Sequence, residues 1–531
     1  MKLALFSYLT IVLAMNLSCG PENTQLRPGP AAAPHLAPDA AAGSATAGTA
    51  KEVALPPADQ AQDHVQREPL LRLAFTQWME GHLEPCGCAS AQSGGMDRRG
   101  YWLKRNKHLY DLALEGGNLI EEKNVLEDLK LQTTLLILRG HLEEEGYGAL
   151  PLGPVDLSLG TETLHDYDEA WGPVFFCTDL RQKKGGKMVA PFATHRILEA
   201  GSYRLLLLDL AGHVEGAPQK NLAFVEPGKA IEEALAAAGQ RGRDYDMVIC
   251  FAYQSPKRGL RTLLGQLPGV DLVVGQVRDL HLMGSPKPEV HERKKAVHGV
   301  RRTSLIFPGG QGRRMLLWKG RPDPGQGWKT SKLEIVDLPA RRGERKNSAG
   351  MPLTADADIW MQLRELKQQI ADQNMVEKLA NRRPTINGAR YVGNKVCQAC
   401  HTRAARAWKK SGHAKAWHAL EERDKTDKLP MTGQPDCVRC HTVGFGEVSG
   451  YTSPSKTPQL LAVGCEVCHG PSSKHVDAMK ALPDKPGKKV VEAALAEAPL
   501  VEANAQTCAR CHDAEQSPGF QFNDRWKRIK H

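Results

Sequence analysis

VGCEVCHGPSSKH, residues 463–475, sets Cys465, Cys468 and His469 in the order C-x-x-C-H, with a second histidine, His475, soon after. C-x-x-C-H is the attachment signature of c-type haem: two thiols add to the porphyrin vinyl groups and the adjacent imidazole ligates the iron from one face. Covalent attachment holds a haem even where a small domain cannot wrap it. The pattern recurs at Cys397-Cys400-His401, Cys437-Cys440-His441 and Cys508-Cys511-His512, four matches in all. The rival reading is a pair of zinc sites, each held by four thiolates; such sites use C-x-x-C pairs but need no histidine after every pair. The expectation is four covalently attached haem c groups, with His401, His441, His469 and His512 as proximal ligands.

From Arg390 to His531 the chain holds eight histidines, so four lie outside the motifs: His413, His418, His475 and His531. Four irons have four second axial positions, and the arithmetic accommodates bis-histidine ligation throughout. Gly470-Pro471 should turn the chain and return His475 towards a neighbouring haem rather than the one bound by His469. His413 and His418 share a helix-like stretch, AARAWKKSGHAKAWHAL (404–420), in which they do not share a face well. They serve different irons, or one is a bystander.

The opening MKLALFSYLTIVLAMNLSCG places Lys2 before an apolar stretch, Leu3 to Leu17, too short to span a membrane comfortably. It reads as a signal peptide over 1–18, with Cys19 as an acylated lipoprotein cysteine. Asn16 stands where that pattern usually has leucine, so simple secretion with an incidental cysteine is the alternative. Either way the expectation is export to the periplasmic or cell-envelope side of a bacterium. Residues 19–68 are rich in Ala and Pro, as in RPGPAAAPHLAPDAAAGSATAGTA (27–50), and read as a disordered tether. No later run is long and apolar enough to span.

The 531 residues leave room for two or three domains, and 41 % hydrophobic content is ordinary for a globular protein. The net charge of +10 does not point to nucleic acid. Residues 390–531 carry 22 Lys/Arg against 15 Asp/Glu, about +7, and the eight propionates of four haems would absorb that excess. No interleaving of basic and aromatic residues suggests a polyanion groove. The partners expected are redox proteins, an unidentified donor and acceptor, and a membrane reached through the lipid anchor.

Residues 69–340 contain no haem motif. Apolar runs LRLAF (71–75), LLLLDL (205–210), DMVICFAY (246–253) and VDLVVG (270–275) read as buried strands. EPGKAIEEALAAAGQRGRD (226–244) reads as a helix with glycines near its end. This alternation predicts a layered α/β domain, followed by a linker over 341–389 and a mainly helical and irregular haem domain over 390–531. Within the linker, 356–381 reads as a helix with Ile359, Leu363, Leu366 and Ile370 as a packing stripe.

The segment order VFFCTDL (174–180), YRLLLLDLAG (203–212), the helix at 226, DYDMVICFAY, PGVDLVVGQ and IFPGGQGRRMLLW (306–318) resembles the calcineurin-like metallophosphoesterases of the 5'-nucleotidase type. That resemblance implies an α/β sandwich with two metal ions held by Asp, Asn and His at strand ends, clamping a phosphate. The motif positions depart from it. Trp78-Met79-Glu80-Gly81 stands for Asp-x-His-Gly, Glu115-Gly116-Gly117-Asn118 for Asp-x-Gly-Asp, and Gly153-Pro154-Val155-Asp156 for Gly-Asn-His-(Asp/Glu). Gly275-Gln276-Val277-Arg278 stands for Gly-His-x-His, and the ligand histidine expected near Tyr253 is missing. The expectation is a scaffold without its metals and without catalytic residues. The alternative is a working hydrolase whose ligands fall outside these aligned positions, with Glu80, His82, Asn118 and Asp156 as remnants of its site.

GHLEPCGCASAQSGGMDRRG (81–100) places Cys86 and Cys88 just after the first strand. C-x-C thiols could bind a soft metal or form an easily reduced disulfide; a structural cross-link is the other reading. Cys177 and Cys250 sit in strand patterns, where cysteine behaves as a small hydrophobe.

YVGNKVCQACH, WKKSGHAKA, CVRCHTVGFG, VGCEVCHGPSSKH and the closing FNDRWKRIKH together resemble the tetrahaem cytochrome c-554 family, associated with hydroxylamine oxidation. The resemblance spans 391–531. It implies closely stacked haems passing electrons along the chain, of which one can be five-coordinate with an open face. Two function classes follow: an electron-transfer protein, or an enzyme acting on a small nitrogen or oxygen species at an open haem or on a phosphate ester in the middle domain. A fourth distal histidine and the missing metal ligands both favour electron transfer.

Overall fold

A computed structural model describes residues 70–77, 79–85, 94–212, 220–253, 257–276, 288–310, 312–338, 345–512, 517 and 520–531. The expected signal peptide, Cys19, the tether, and the Cys86 and Cys88 pair lie outside these residues, as do Trp78, Val277 and Arg278. Glu68–His531 form one compact unit.

Ten strands make one mixed sheet: β1 (Leu71–Thr76), β2 (Leu112–Glu115), β3 (Arg196–Ala200), β4 (Tyr203–Leu210), β5 (Met247–Tyr253), β6 (Leu272–Gln276), β7 (Glu289–Val297), β8 (Val300–Ile306), β9 (Arg314–Asp323) and β10 (Gly327–Asp337). Their order is β2-β1-β9-β10-β8-β6-β5-β4-β3, with β7 paired to β8. β1 runs parallel to β2, and β4, β5, β6 and β8 form a parallel set. Only one residue pair, Arg302 with Gly327, joins β8 to β10, so the sheet folds back as two halves.

The period-2 geometry of a strand shows what the halves face. Leu71, Leu73 and Phe75 of β1 and Met247, Ile249 and Phe251 of β5 share one core, the seam between the two halves. The alternate residues turn away: Ala74 and Ala113 pack under helices Val125–Leu136 and Ala357–Asp372, while Val248, Cys250 and Ala252 pack under helices Pro227–Ala238 and Lys257–Leu264. The result is helix, sheet, sheet, helix, with every residue of β5 buried. This is the expected layered α/β architecture. Each apolar run named above forms a strand. The helix at 226 is shorter than expected, Pro227–Ala238, because Glu226 caps Lys229 N–H at its start and Gly239 ends it at positive φ.

Two expected helices break. Residues 356–381 form Ala357–Asp372 and Met375–Leu379, separated at Asn374, which takes the left-handed conformation. The stripe Ile359, Leu363, Leu366 and Ile370 is buried against the α/β core. Residues 404–420 divide into the end of helix Thr402–Lys409, a 3-10 turn at Gly412–Lys415, and the start of helix Ala416–Asp427. Beyond residue 390 the chain is short helices and loops around a small apolar core that includes Trp417, Leu420, Val438, Tyr451 and Leu460. No helix of the described residues is long and apolar enough to cross a membrane.

Candidate metal centres

Each C-x-x-C-H motif lies on or at the end of a short helix: Asn394–Cys400, Pro435–His441, Cys465–His469 and Ala505–Ala509. In a helix, residues three apart lie on one face. Asn504 starts the last of these helices with a capping box, accepting from Thr507 N–H at 3.0 Å. Motifs one and three are tied together. The Glu466 carboxylate accepts from the N–H of Val392, Gly393 and Ser472 at 2.7–3.1 Å, and Asn394 Oδ1 accepts from Cys465 N–H at 2.8 Å. A side chain at Gly464 would put its Cβ 2.3 Å from Asn394 Oδ1, so glycine is required there.

Three histidines outside the motifs stand against three inside. The ring centroids of His401 and His475 are 6.3 Å apart, those of His413 and His512 6.0 Å, and those of His469 and His531 6.1 Å. Two metal–nitrogen bonds of about 2 Å, plus roughly 1.1 Å from each nitrogen to its ring centre, give about 6.2 Å across a six-coordinate metal. The spacing fits an iron between the members of each pair. Nδ1 of His441 bonds to Ala416 O at 2.5 Å, Nδ1 of His469 to Val501 O at 3.2 Å and Nδ1 of His531 to Ile529 O at 2.9 Å. A carbonyl only accepts, so these Nδ1 atoms carry the proton and leave Nε2 for a metal. Burial holds His413, His441 and His475 below the ordinary imidazole value, in the neutral form that ligates.

The second, third and fourth motifs, with His413 and His531, line one cavity of about 2210 Å³. Pockets for one small ligand measure roughly 300–1,000 Å³, so this one has room for more than one flat macrocycle. Of the two alternatives left open for His413 and His418, the geometry favours His418 as the bystander. It lies 62 % exposed on helix Ala416–Asp427, bonded to Glu421 and Glu422 one turn on. His413 lies on the 3-10 turn Gly412–Lys415 and His418 on the helix that follows it, and among the ring contacts of the described residues no imidazole stands opposite His441.

At the strand ends of the α/β region, the residues in motif positions are taken up by internal bonds. Asp156 accepts from the N–H of Leu119, Gly153 and Ile120 at 2.7, 3.0 and 3.4 Å, and burial pushes its carboxyl up to about 7. Asn118 Oδ1 accepts from Val155 N–H, and Glu115 is held by Arg99 at 2.8 Å and Thr76 at 2.7 Å. The Tyr253 hydroxyl donates to Gly116 O. Glu80 is buried at positive φ, and His82 sits beside Lys130 and Asp436. Among the described residues no group of three or more His, Cys, Asp or Glu is disposed to hold a metal ion. Cys177 and Cys250 are buried and free. Two further buried carboxyls, Asp179 and Asp209, adjoin Cys177; the sequence shows them only as single acidic residues in apolar runs.

Paired cysteines each followed by histidine, imidazoles set across a metal's width and a macrocycle-sized cavity are the features that a c-type haem region requires. The family described as "Cytochrome c554 and c-prime" matches residues 396–470. Cytochrome c-554 of Nitrosomonas europaea is 38 % identical over 144 residues, 24 % of this chain and 61 % of that protein. The chain thus spans less than two thirds of the curated relative it matches. Among solved structures, a 5'-nucleotidase precursor from Thermus thermophilus is similar at TM-score 0.43 and 18 % identity, over 62 % of this chain and 63 % of that one. The NAD nucleotidase of Haemophilus influenzae is similar at TM-score 0.45 and 12 % identity, over 62 % and 64 %. A calcineurin-like phosphoesterase from Bacillus subtilis is similar at 0.39 and 12 %, over 56 % and 97 %.

Proposed function

We infer that the chain is an exported tetrahaem c-type cytochrome that passes electrons between redox partner proteins, with the α/β region as a non-catalytic scaffold. The observation that carries this is the three histidine pairs at 6.0–6.3 Å, each joining one motif histidine to one outside the motifs. Cys397 and Cys400, Cys437 and Cys440, Cys465 and Cys468, and Cys508 and Cys511 would hold the four groups. A bound haem supplies a one-electron couple whose potential follows its axial ligands and burial. The chain's own side chains supply attachment, axial imidazoles and a shielded cavity. An acylated Cys19 would keep the folded part near a membrane. The test is the mass of the mature holoprotein with haem content beside it: four haems per chain are expected, and three or fewer at full occupancy would overturn the count.

One observation favours a second reading at one centre. With His418 exposed and bound to Glu421 and Glu422, the iron at His441 would be five-coordinate and open to a small nitrogen or oxygen species. One ligand molecule bound per chain, in a titration of the reduced protein with carbon monoxide, is the expected result; none bound would remove this reading. For the α/β region, robust phosphatase turnover with manganese or zinc, abolished by chelator, would overturn the scaffold role.

A further inference from the structure

The α/β region and the second motif meet through buried charge. Lys130, on helix Val125–Leu136 and 8 % exposed, bridges Glu127 at 2.8 Å and Asp436 at 2.9 Å. Asp436 immediately precedes Cys437, and Arg439, between the two motif cysteines, faces Glu121 at 3.7 Å. Glu127 also accepts from Glu121 N–H at 2.9 Å. Gly81 packs so tightly on Glu127 that an added Cβ would lie 2.4 Å from Oε2. Asp436 is 55 % exposed and lines the same cavity as Lys130, Arg439, Cys437, Cys440 and His441.

We propose that Lys130, a residue of the α/β region, helps set the reduction potential of the haem attached at Cys437 and Cys440, as a cation held beside the motif helix by its pairing with Asp436. The proposal rests on the tetrahaem reading above. Reduction adds one negative charge at that centre. A nearby cation favours the reduced form and a nearby carboxylate opposes it, more strongly in a low-dielectric interior than in water. A pair with one buried and one half-exposed partner contributes little net stability, because desolvation and solvent screening offset attraction. Its two charges still act on any neighbouring group that changes charge. The fused α/β region then has a role needing no reaction of its own: it adds a second cation, Lys130, beside a haem motif whose own Arg439 faces Glu121.

The test is a spectroelectrochemical titration of the full-length holoprotein and its Lys130→Gln, Asp436→Asn and Lys130→Arg variants. One couple in four should fall in Lys130→Gln and rise in Asp436→Asn, with the others moving less. The expected size is up to a tenfold change in the ferric-to-ferrous ratio at fixed potential, about 59 mV for one electron. Lys130→Arg should keep the wild-type value. Loosened packing would move both single variants the same way, so shifts of one sign, or none, overturn the proposal. If Lys130→Gln does not fold, the rise in Asp436→Asn decides alone. Haem on the proteolytic peptide carrying Cys437 and Cys440 separates the two failures: haem present with unmoved potentials sinks this proposal only, whereas haem absent sinks the tetrahaem reading and this with it.

Discussion

Replacing Glu466 with alanine should loosen two haem motifs at once. Its side chain is 2 % exposed and caps three backbone donors, the N–H groups of Val392, Gly393 and Ser472. The first two lead into helix Asn394–Cys400; the third starts the turn that carries His475 towards His401. Alanine leaves three donors without an acceptor. An unpaired buried polar group costs about 1–3 kcal/mol, so the lower bound is about 3 kcal/mol. Burial raises the Glu466 carboxyl above its ordinary value, which means holding it ionised already has a cost, and the lower bound is the safer figure. For one cooperative unit the size of Glu68–His531 that is roughly 3 °C in Tm. Glu466→Gln keeps one acceptor oxygen and should fall between. The assay is thermal unfolding of the ferric holoprotein followed at the Soret band. Both variants within about 0.5 kcal/mol of wild type, as at an ordinary surface position, would refute the reasoning.

The histidine assignments separate cleanly. His475→Ala should convert one low-spin haem to high-spin, while His418→Ala should leave the spin states unchanged; the reverse pattern would reassign both. Acid should destabilise the protein through His82, whose imidazole burial and Lys130 hold at about 4 against an ordinary 6.5. Between those values the unfolded chain takes up a proton that the folded chain does not, so stability is full above pH 6.5 and falls towards pH 4. The loss is at most about 3 kcal/mol at 1.36 kcal/mol per unit, and His82→Gln should flatten it; an unchanged slope of denaturation midpoint against pH in that variant would exclude His82 as the cause. Asp436, held down at about 2 by Lys130, adds a further loss only as pH drops below 3.8.

The strands of the α/β region were legible because strands buried on both faces read as unbroken apolar runs: all of Met247–Tyr253 is buried. The four C-x-x-C-H patterns were legible because that spacing is the one haem attachment requires. Helix continuity was not. Asn374, left-handed, and Ser411, extended, interrupt stretches that otherwise read as helix, and one backbone position decides each break. His418 belonged by count to the axial set, yet it stands exposed beside Glu421 and Glu422, which offer surface partners one turn away. The contact of Lys130 with Asp436 leaves no local pattern, because two single charges far apart in sequence carry no periodicity.

The measurement that tests the account most directly is a spin count by electron paramagnetic resonance on the oxidised holoprotein, with haem content determined on the same sample. Three low-spin haems and one high-spin haem are expected, the pairs at His401, His469 and His512 closed and the centre at His441 open. Four low-spin haems would mean that every iron is capped, that an imidazole reaches the fourth centre, and that His418 does not keep its exposed place beside Glu421 and Glu422 in the holoprotein.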